Sequence, residues 1–323
     1  MAFMFDKDRF VDDRSLSLSI KNKGLNYGLG CIEGIRAFWN KEQKQLFVFR
    51  LDDHFKRFHG SGKSLYIPIP YSIVQLSEIT RQLLSINQVT QDVYIRPLCF
   101  KGANTLRPDL NDPLNHLAIY LDLTEYEPKP SINVCVSSWT RVGSNMIPPQ
   151  TKSTAGYLNS GLAINEAVLN GYDGALFLTR EGNVSEGATN NLFIVRGNEV
   201  VTPPVSDDIL PGITRNTVAQ IVYRELGLSM REQSITRVEL YEADEVFLTG
   251  TAIGIKPVVE IDRRMIGNGK IGQITQKIQK AYDQIVRGEM SSYISYCTSV
   301  YENAKIFELN RLRYYVLYDV IFY

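Results

Sequence analysis

The sequence has few of the residues that carry metal and disulfide chemistry. Its four cysteines, Cys31, Cys99, Cys135 and Cys297, lie far apart and form no C-x-x-C pair. Reduced, mostly buried thiols are therefore expected, not a zinc site or a redox pair. Three histidines, His54, His59 and His116, with no H-E-x-x-H spacing, argue against a metal centre. An excess of charge of one sign is also missing. The 35 basic and 35 acidic residues leave zero formal net charge, whereas a dedicated nucleic-acid binder carries a basic excess or stripe. Nothing steers the chain electrostatically toward nucleic acid or an anionic membrane. No apolar run reaches the roughly 18 residues that span a bilayer. The most apolar stretch, from Tyr314 to Tyr323, is interrupted by Asp319. The opening MAFMFDKDRFVDD places acids where a signal peptide has its apolar core. It also offers no clear leading hairpin. A cytoplasmic protein is expected, without nucleic-acid or membrane partners.

What is present is a core-forming composition. The chain has 323 residues, 44% apolar and 22% charged, which at about 150 residues per domain predicts two domains. A chain of this size buries roughly 75% of its unfolded surface, so disorder is excluded as its main state. LFVFRL (46–51) alternates as a strand does, and Asp52 and Asp53 are placed to cap a following helix through Lys63. SIVQLSEITRQLLS (72–85) has helical spacing. DVYIRPLCF (92–100) and HLAIYLDL (116–123) read as strands, with Pro113 in the turn between them. The proline-punctuated EYEPKP (125–130) marks the best domain boundary. Beyond it come a strand at INVCVSSW (132–139), a polar loop (143–156) and a helix at 158–170. GALFLT (174–179) and NLFIV (191–195) read as consecutive antiparallel strands. A helix opens at Ile213, a strand runs through EVFLTG (245–250), and an amphipathic helix covers 271–286. Strand runs and helix runs without regular βαβ alternation predict an α+β fold. The expected division is residues 1–127, residues 128–302, and a tail at 303–323.

Several residues have two readings each. Lys152, in IPPQTKSTAGY, is either an exposed loop lysine or a lysine held for Schiff-base chemistry. Glu186, in GNVSEGATNN, is either a turn acid or a buried partner for a cationic ring nitrogen. LPGIT (210–214) is either a Pro-Gly turn with its helix cap or a phosphate site at a helix N-terminus. LTGTA (248–252) is a second hydroxyl-bearing loop. Arg57 is either a solvated helix arginine or a bidentate phosphate ligand. Arg96, mid-strand among apolar residues, needs either a structural ion pair or a substrate carboxylate.

Read in order, these pieces resemble the class IV (fold type IV) pyridoxal-phosphate aminotransferases, and among them the branched-chain amino acid aminotransferases. The resemblance runs over residues 23–288. It rests on NYGLGCIEGIRAF (26–38), FRLDDHFKRF (49–58), YIRP (94–97) and SWTRVGSNMIPPQTKSTAGYLNS (138–160). It continues through GNVSEGATNNLFIV (182–195), LPGITR (210–215), LYEADEVFLTGTA (240–252) and GKIGQITQKIQKAY (269–282). It implies a small N-terminal α/β domain, a larger pseudo-barrel domain, a site between them, and at least a homodimer whose interface completes the pocket. It implies that Lys152 carries the cofactor and then shuttles the proton. Tyr157 would bond the ring oxygen, and Glu186 would face the pyridine nitrogen. Arg57, Ile213, Thr214 and Thr251 would hold the phosphate. Tyr94, Arg96 and Ala252 would serve the substrate carboxylate, and Tyr27, Ile32 and Gly34 would line the side-chain pocket. No metal is implied.

The chain departs from that pattern at Ile32, where phenylalanine is usual. It is also shorter between His116 and Ile132, where Tyr126 is a candidate substitute, and its tail after Glu302 has no counterpart in the family. The expected activity is transfer of the amino group of L-leucine, L-isoleucine or L-valine to 2-oxoglutarate. Same-fold alternatives are D-amino acid transaminase, (R)-amine transaminase and aminodeoxychorismate lyase. An alternative of another class is a non-catalytic relative that binds pyridoxal phosphate. A cofactor-free hydrolase has neither G-x-S-x-G nor a Walker loop to support it.

Overall fold

Strand alternation and helix capping set the elements of the N-terminal half. A computed structural model describes residues 2–124 and 129–301. Tyr126, most of the expected boundary segment and the tail from Glu302 lie outside the described residues. β1 (Phe3–Asp6) and β2 (Arg9–Asp12) form a hairpin after all. Its turn residues Lys7 and Asp8 both have positive φ, and Lys-Asp lacks the Asn-Gly signature by which such turns are read. α1 (Lys23–Tyr27), β3 (Gly30–Ile32), β4 (Ile35–Asn40) and β5 (Gln45–Phe49) follow. Next come α2 (Leu51–Ser64), α3 (Ile73–Ile86), β6 (Val93–Lys101) and β7 (Asn115–Asp122). α3 opens on the reciprocal capping box of Ser72 and Gln75.

α2 starts differently from the sequence expectation. Arg50 is its cap residue, in the left-handed region at φ 49°. Asp53 is spent on an ion pair to Arg50 Nε at 2.6 Å, and Asp52 accepts from Ser77. Both acids still face the positive end of the helix. Leu51, Phe55 and Phe58 recur on one face of α2 and fill the core beneath the sheet. In β6 the period of two sends Val93 and Ile95 into that core and turns Tyr94 and Arg96 to the other face.

The second half holds β8 (Ile132–Val136), α4 (Tyr157–Leu169), β9 (Gly174–Leu178), β10 (Asn183–Gly187), β11 (Asn191–Arg196) and β12 (Glu199–Thr202). These lead to α5 (Ile213–Arg224), β13 (Ser229–Glu232), β14 (Ile235–Thr236) and α6 (Arg237–Tyr241). β15 (Glu245–Gly250), β16 (Gly254–Ile261), β17 (Arg264–Met265), α7 (Gln273–Val286) and β18 (Cys297–Ser299) complete the described chain. The first sheet runs β18-β5-β4-β6-β7-β1-β2, with β3 added on β6. The second runs β13-β12-β11-β15-β16-β8-β9-β10-β14, with β17 added on β16. Antiparallel pairs dominate and the helices pack against the sheets, so the architecture is α+β.

Two features depart from the sequence reading. β9 does not pair with β11. β10 intervenes and pairs with β9, while β11 pairs with β12 and β15. And β18 returns to the first sheet beside β5. Phe38 and Phe49 of that sheet share one apolar cluster with Phe193, Phe247 and the buried face of α7, so the two sheets are joined by a continuous core. Among the described residues no helix is long and apolar enough to cross a membrane.

Candidate active site

A cavity of about 990 Å³ opens between the two sheets. Gly34, Arg57, Tyr94 and Arg96 line it from the first half. Lys152, Tyr157, Glu186, Ile213, Thr214, Thr251 and Ala252 line it from the second. Of the residues singled out in the sequence, Tyr27 and Ile32 are not in the lining. Tyr27 sits half-buried on α1. The Ile32 side chain is buried, and its backbone N–H donates to Lys152 O at 2.9 Å.

That bond is one of a set that fixes the lysine. Residues 152–154 run alongside β3 through a single isolated bridge. Cys31 and Ser153 form a β-bridge, and the Thr154 N–H donates to Gly30 O. The Thr154 hydroxyl donates to Gly28 O at 2.6 Å, and the Lys152 N–H donates to Ser61 Oγ at 3.1 Å. So the backbone of Lys152 is pinned to the first half while its neighbours lead into α4. Its Nζ lies 5.8 Å from the Tyr157 ring centroid. Among the described residues Nζ makes no hydrogen bond or ion pair and is left for a ligand.

Glu186 lies on β10, not in a turn. The β9–β10 register shifts between Val184 and Gly187, and such a bulge re-aims the side chain beside it. Here the carboxyl faces the cavity floor and is 4% exposed. Oε1 pairs with Arg141 Nη2 at 2.7 Å. Oε2 accepts from Asn191 Nδ2 at 2.9 Å and from the Leu210 N–H at 3.2 Å. Burial pushes its pKa up to about 7, against the pull of Arg141 and the Leu210 amide.

The turn that follows Leu210 suits an anion. α5 opens at Gly212 with no side-chain cap, so its first amides are free for a ligand. Asn191 Nδ2 also donates to Leu210 O at 2.8 Å, tying this turn to the Glu186 carboxyl. A Cβ on Gly212 would lie 1.9 Å from Asn191 Oδ1, so any side chain there must displace the Asn191 amide. Arg57 reaches the turn from α2, with Nη1 donating to Pro211 O at 3.2 Å. Its Nε and Nη2 hold Glu33 at 2.7 and 2.8 Å. Thr249 Oγ1 is buried in the lining with no partner among the described residues.

A second polar group also lines the cavity. Arg96 Nη2 donates to Tyr94 Oη at 3.0 Å, and its Nε is buried without a partner among the described residues. Arg36 Nη1 donates to Ala252 O at 3.4 Å, steadying the loop that carries Thr251 and Ala252. Sequence reasoning missed Glu33, Arg36, Arg141 and Asn191 as site residues. Each sits inside a motif already singled out, and what marks it is a contact more distant in the chain than any local pattern reports.

Comparison with known proteins agrees with this geometry. The amino-transferase class IV family profile matches residues 30–261. The chain is similar to the probable branched-chain-amino-acid aminotransferase of Aquifex aeolicus, at 41% identity over 304 residues, which cover 94% of this chain and 98% of that one. Among solved structures it is similar to the branched-chain aminotransferase of Thermoproteus uzoniensis with norvaline. There the TM-score is 0.88 and the identity 40%, covering 93% of this chain and 99% of that one. It is also similar to the branched-chain amino acid aminotransferase of Thermobaculum terrenum in its PLP-form. There the TM-score is 0.89 and the identity 33%, with coverage of 93% and 98%. With the family profile spanning both sides of the cavity and relatives aligned over nearly their whole length, the chain belongs to the class IV aminotransferases.

Proposed function

We propose that this protein is a pyridoxal-phosphate-dependent transaminase that moves the amino group of L-leucine, L-isoleucine or L-valine to 2-oxoglutarate. One observation carries the reading. A free lysine Nζ, a buried carboxyl and an uncapped helix N-terminus with an arginine beside it share one cavity. The residues fit the cofactor. Unspent α5 amides, Arg57 and the orphaned Thr249 hydroxyl suit a phosphate, Glu186 suits a ring nitrogen, and Lys152 suits an aldehyde carbon. When bound, the cofactor supplies a ring that draws electrons from the substrate Cα.

The chain's own residues do the rest. Glu186, held by Arg141 and Asn191, keeps a proton on the ring nitrogen. Lys152 would hold the cofactor, and its Nζ, freed once a substrate amine takes its place, would accept the proton from the substrate Cα. Tyr157 orients the ring oxygen. Arg57, the amides of Ile213 and Thr214, and Thr251 hold the phosphate. Tyr94, Arg96 and the Thr251-Ala252 backbone receive the substrate carboxylate, whose charge suits the unpaired Arg96 Nε. Gly34 leaves room beside the substrate side chain. The oxo acid leaves before 2-oxoglutarate enters, so the kinetics are ping-pong. We also place the enzyme in the cytoplasm, which its four free thiols suit. We further infer a homodimer whose interface completes the pocket, with the half-buried Tyr27 contributing to the side-chain wall. Exposed Ile20, Leu25 and Leu158 supply apolar contact surface for it.

The test is the visible absorption spectrum of the purified protein, before and after L-leucine and then 2-oxoglutarate. A yellow band that bleaches with L-leucine and returns with 2-oxoglutarate is expected. Lys152→Ala should lose the exchange altogether. A band silent to L-leucine but responsive to D-amino acids or amines would overturn the substrate assignment. Full turnover by Lys152→Ala would overturn the mechanism.

A further inference from the structure

Glu33 has no place in the chemistry described above, yet it is a fully buried carboxylate, with no exposed surface. All of its partners lie on one side of the cavity. Oε1 accepts from Arg57 Nε at 2.7 Å. Oε2 accepts from Arg57 Nη2 at 2.8 Å, faces His54 Nδ1 at 2.8 Å, and accepts from the Gly34 N–H at 3.2 Å. The carboxylate is saturated by donors, and Arg57 and His54 hold it well below the usual carboxylate range. His54 is 2% exposed, and burial lowers its pKa. Its Nδ1 meets Oε2 beside the Arg57 fork and so adds a further fixed contact to the carboxylate.

A buried ion pair is weak evidence for stability, because a well-packed apolar pair serves the fold as well. What this pair does is fix a geometry. Fork-to-fork contact with Glu33 uses two nitrogens of Arg57, and Pro211 O takes a third. The guanidinium plane is thereby set beside the turn before α5, and these three bonds leave one N–H on Nη1 and one on Nη2 unused. Resting on the phosphate role of Arg57 given above, we infer that Glu33 is a positioning residue that presets Arg57 for the cofactor's phosphate.

The opposite effect is the natural expectation from charge alone. Glu33 is negative and sits behind the phosphate site, so removing its charge would tighten an anion if only the field mattered. If orientation matters, removal weakens it. Glu33→Gln separates the two, because its amide N–H₂ would point donors at Arg57 donors and turn the guanidinium away. The experiment measures binding of pyridoxal phosphate and of pyridoxal, which lacks the phosphate, to the cofactor-free protein, by fluorescence quenching. Glu33→Gln should weaken pyridoxal phosphate about tenfold or more and leave pyridoxal unchanged. In an Arg57→Ala background, Glu33→Gln should add nothing further. Unchanged or tighter pyridoxal phosphate binding would overturn the inference, and so would an equal loss for pyridoxal. If Arg57→Ala alone left the preference for the phosphorylated ligand intact, the phosphate reading of Arg57 would fall and this inference with it. Should Glu33→Gln not fold, Glu33→Asp keeps the charge but withdraws it by one methylene. It should still lose the phosphate preference, and retention of that preference would count against the inference.

Discussion

Gly34→Ala gives the sharpest test of the substrate side of the cavity. A Cβ at position 34 would lie 2.0 Å from Tyr94 Oη, 2.8 Å from Cζ and 3.3 Å from Cε2. Carbon contacts settle at about 3.5–4.0 Å, so the phenol must retreat by more than an ångström. It is the free end of a side chain, so it moves and the strands stay. Gly34 does not have positive φ, so alanine brings no backbone strain. Overpacking costs roughly 1–3 kcal/mol, and the stiffer unfolded chain returns about 0.4–1 kcal/mol, so the protein should still fold. Function should suffer more. Tyr94 Oη is the acceptor for Arg96, and displacing a positioning group by about 1 Å costs on the order of 10²-fold in rate. The assay is steady-state transamination of L-leucine, with Tm and the cofactor spectrum as controls. We expect kcat/KM to fall about 10²-fold with the spectrum intact. Tyr94→Phe alone removes the same acceptor without overpacking and should lose activity by a similar factor. Normal kcat/KM in Gly34→Ala, or normal kcat/KM in Tyr94→Phe, would refute the steric argument.

Three further outcomes follow from the site. Glu186 holds its proton up to about 7 when folded, against 4.5 for an ordinary glutamate. The folded cofactor-free protein is therefore the stronger proton binder between those values, and it loses about 3 kcal/mol of stability as pH rises through them. Relative to wild type, cofactor-free Glu186→Gln should gain about that much between pH 4.5 and 8 in urea unfolding, and a pH-independent difference would contradict it. Gly212→Ala must displace the Asn191 amide that ties Glu186 to the α5 turn. It should weaken pyridoxal phosphate about tenfold or more by equilibrium dialysis, and unchanged affinity would refute the coupling. Burial raises the thiols, Cys99 to about 12, Cys135 and Cys297 to about 11, and Cys31 further still. The native protein should therefore resist iodoacetamide at pH 8, with all four cysteines labelled only after unfolding. Rapid native labelling would count against these environments.

Much of the fold was legible because it rests on local rules. The alternation in VYIRP already puts Tyr94 and Arg96 on one face, and the observed strand β6 keeps them there. Pro211-Gly212 announces the helix that starts at Ile213. The leading hairpin was not legible, because its strands are four residues long and its turn is Lys-Asp. The strand carrying Glu186 reads as a turn in the sequence because glycine and asparagine punctuate it, and a bulge is invisible to a period-two pattern. The return of β18 to the first sheet likewise depends on pairing with a strand some 250 residues earlier.

The sequence by itself singled out Lys152, Glu186, Arg57, Tyr94 and Arg96 as candidates, and it placed Arg57 on a helix and Tyr94 and Arg96 on one face of a strand. Periodicity, capping and turn chemistry act over a few residues and leave their trace in the residue order. Tertiary structure decided how those side chains meet. It laid Lys152 along β3, bent Glu186 inward between Arg141 and Asn191, and set Arg57 on Glu33. It also left Tyr27 and Ile32 outside the lining of their own chain's cavity. Such contacts join residues far apart in the chain, Ser61 to Lys152 across 91 positions among them. Their geometry is fixed only when two sheets close over a shared core, and no local pattern encodes it.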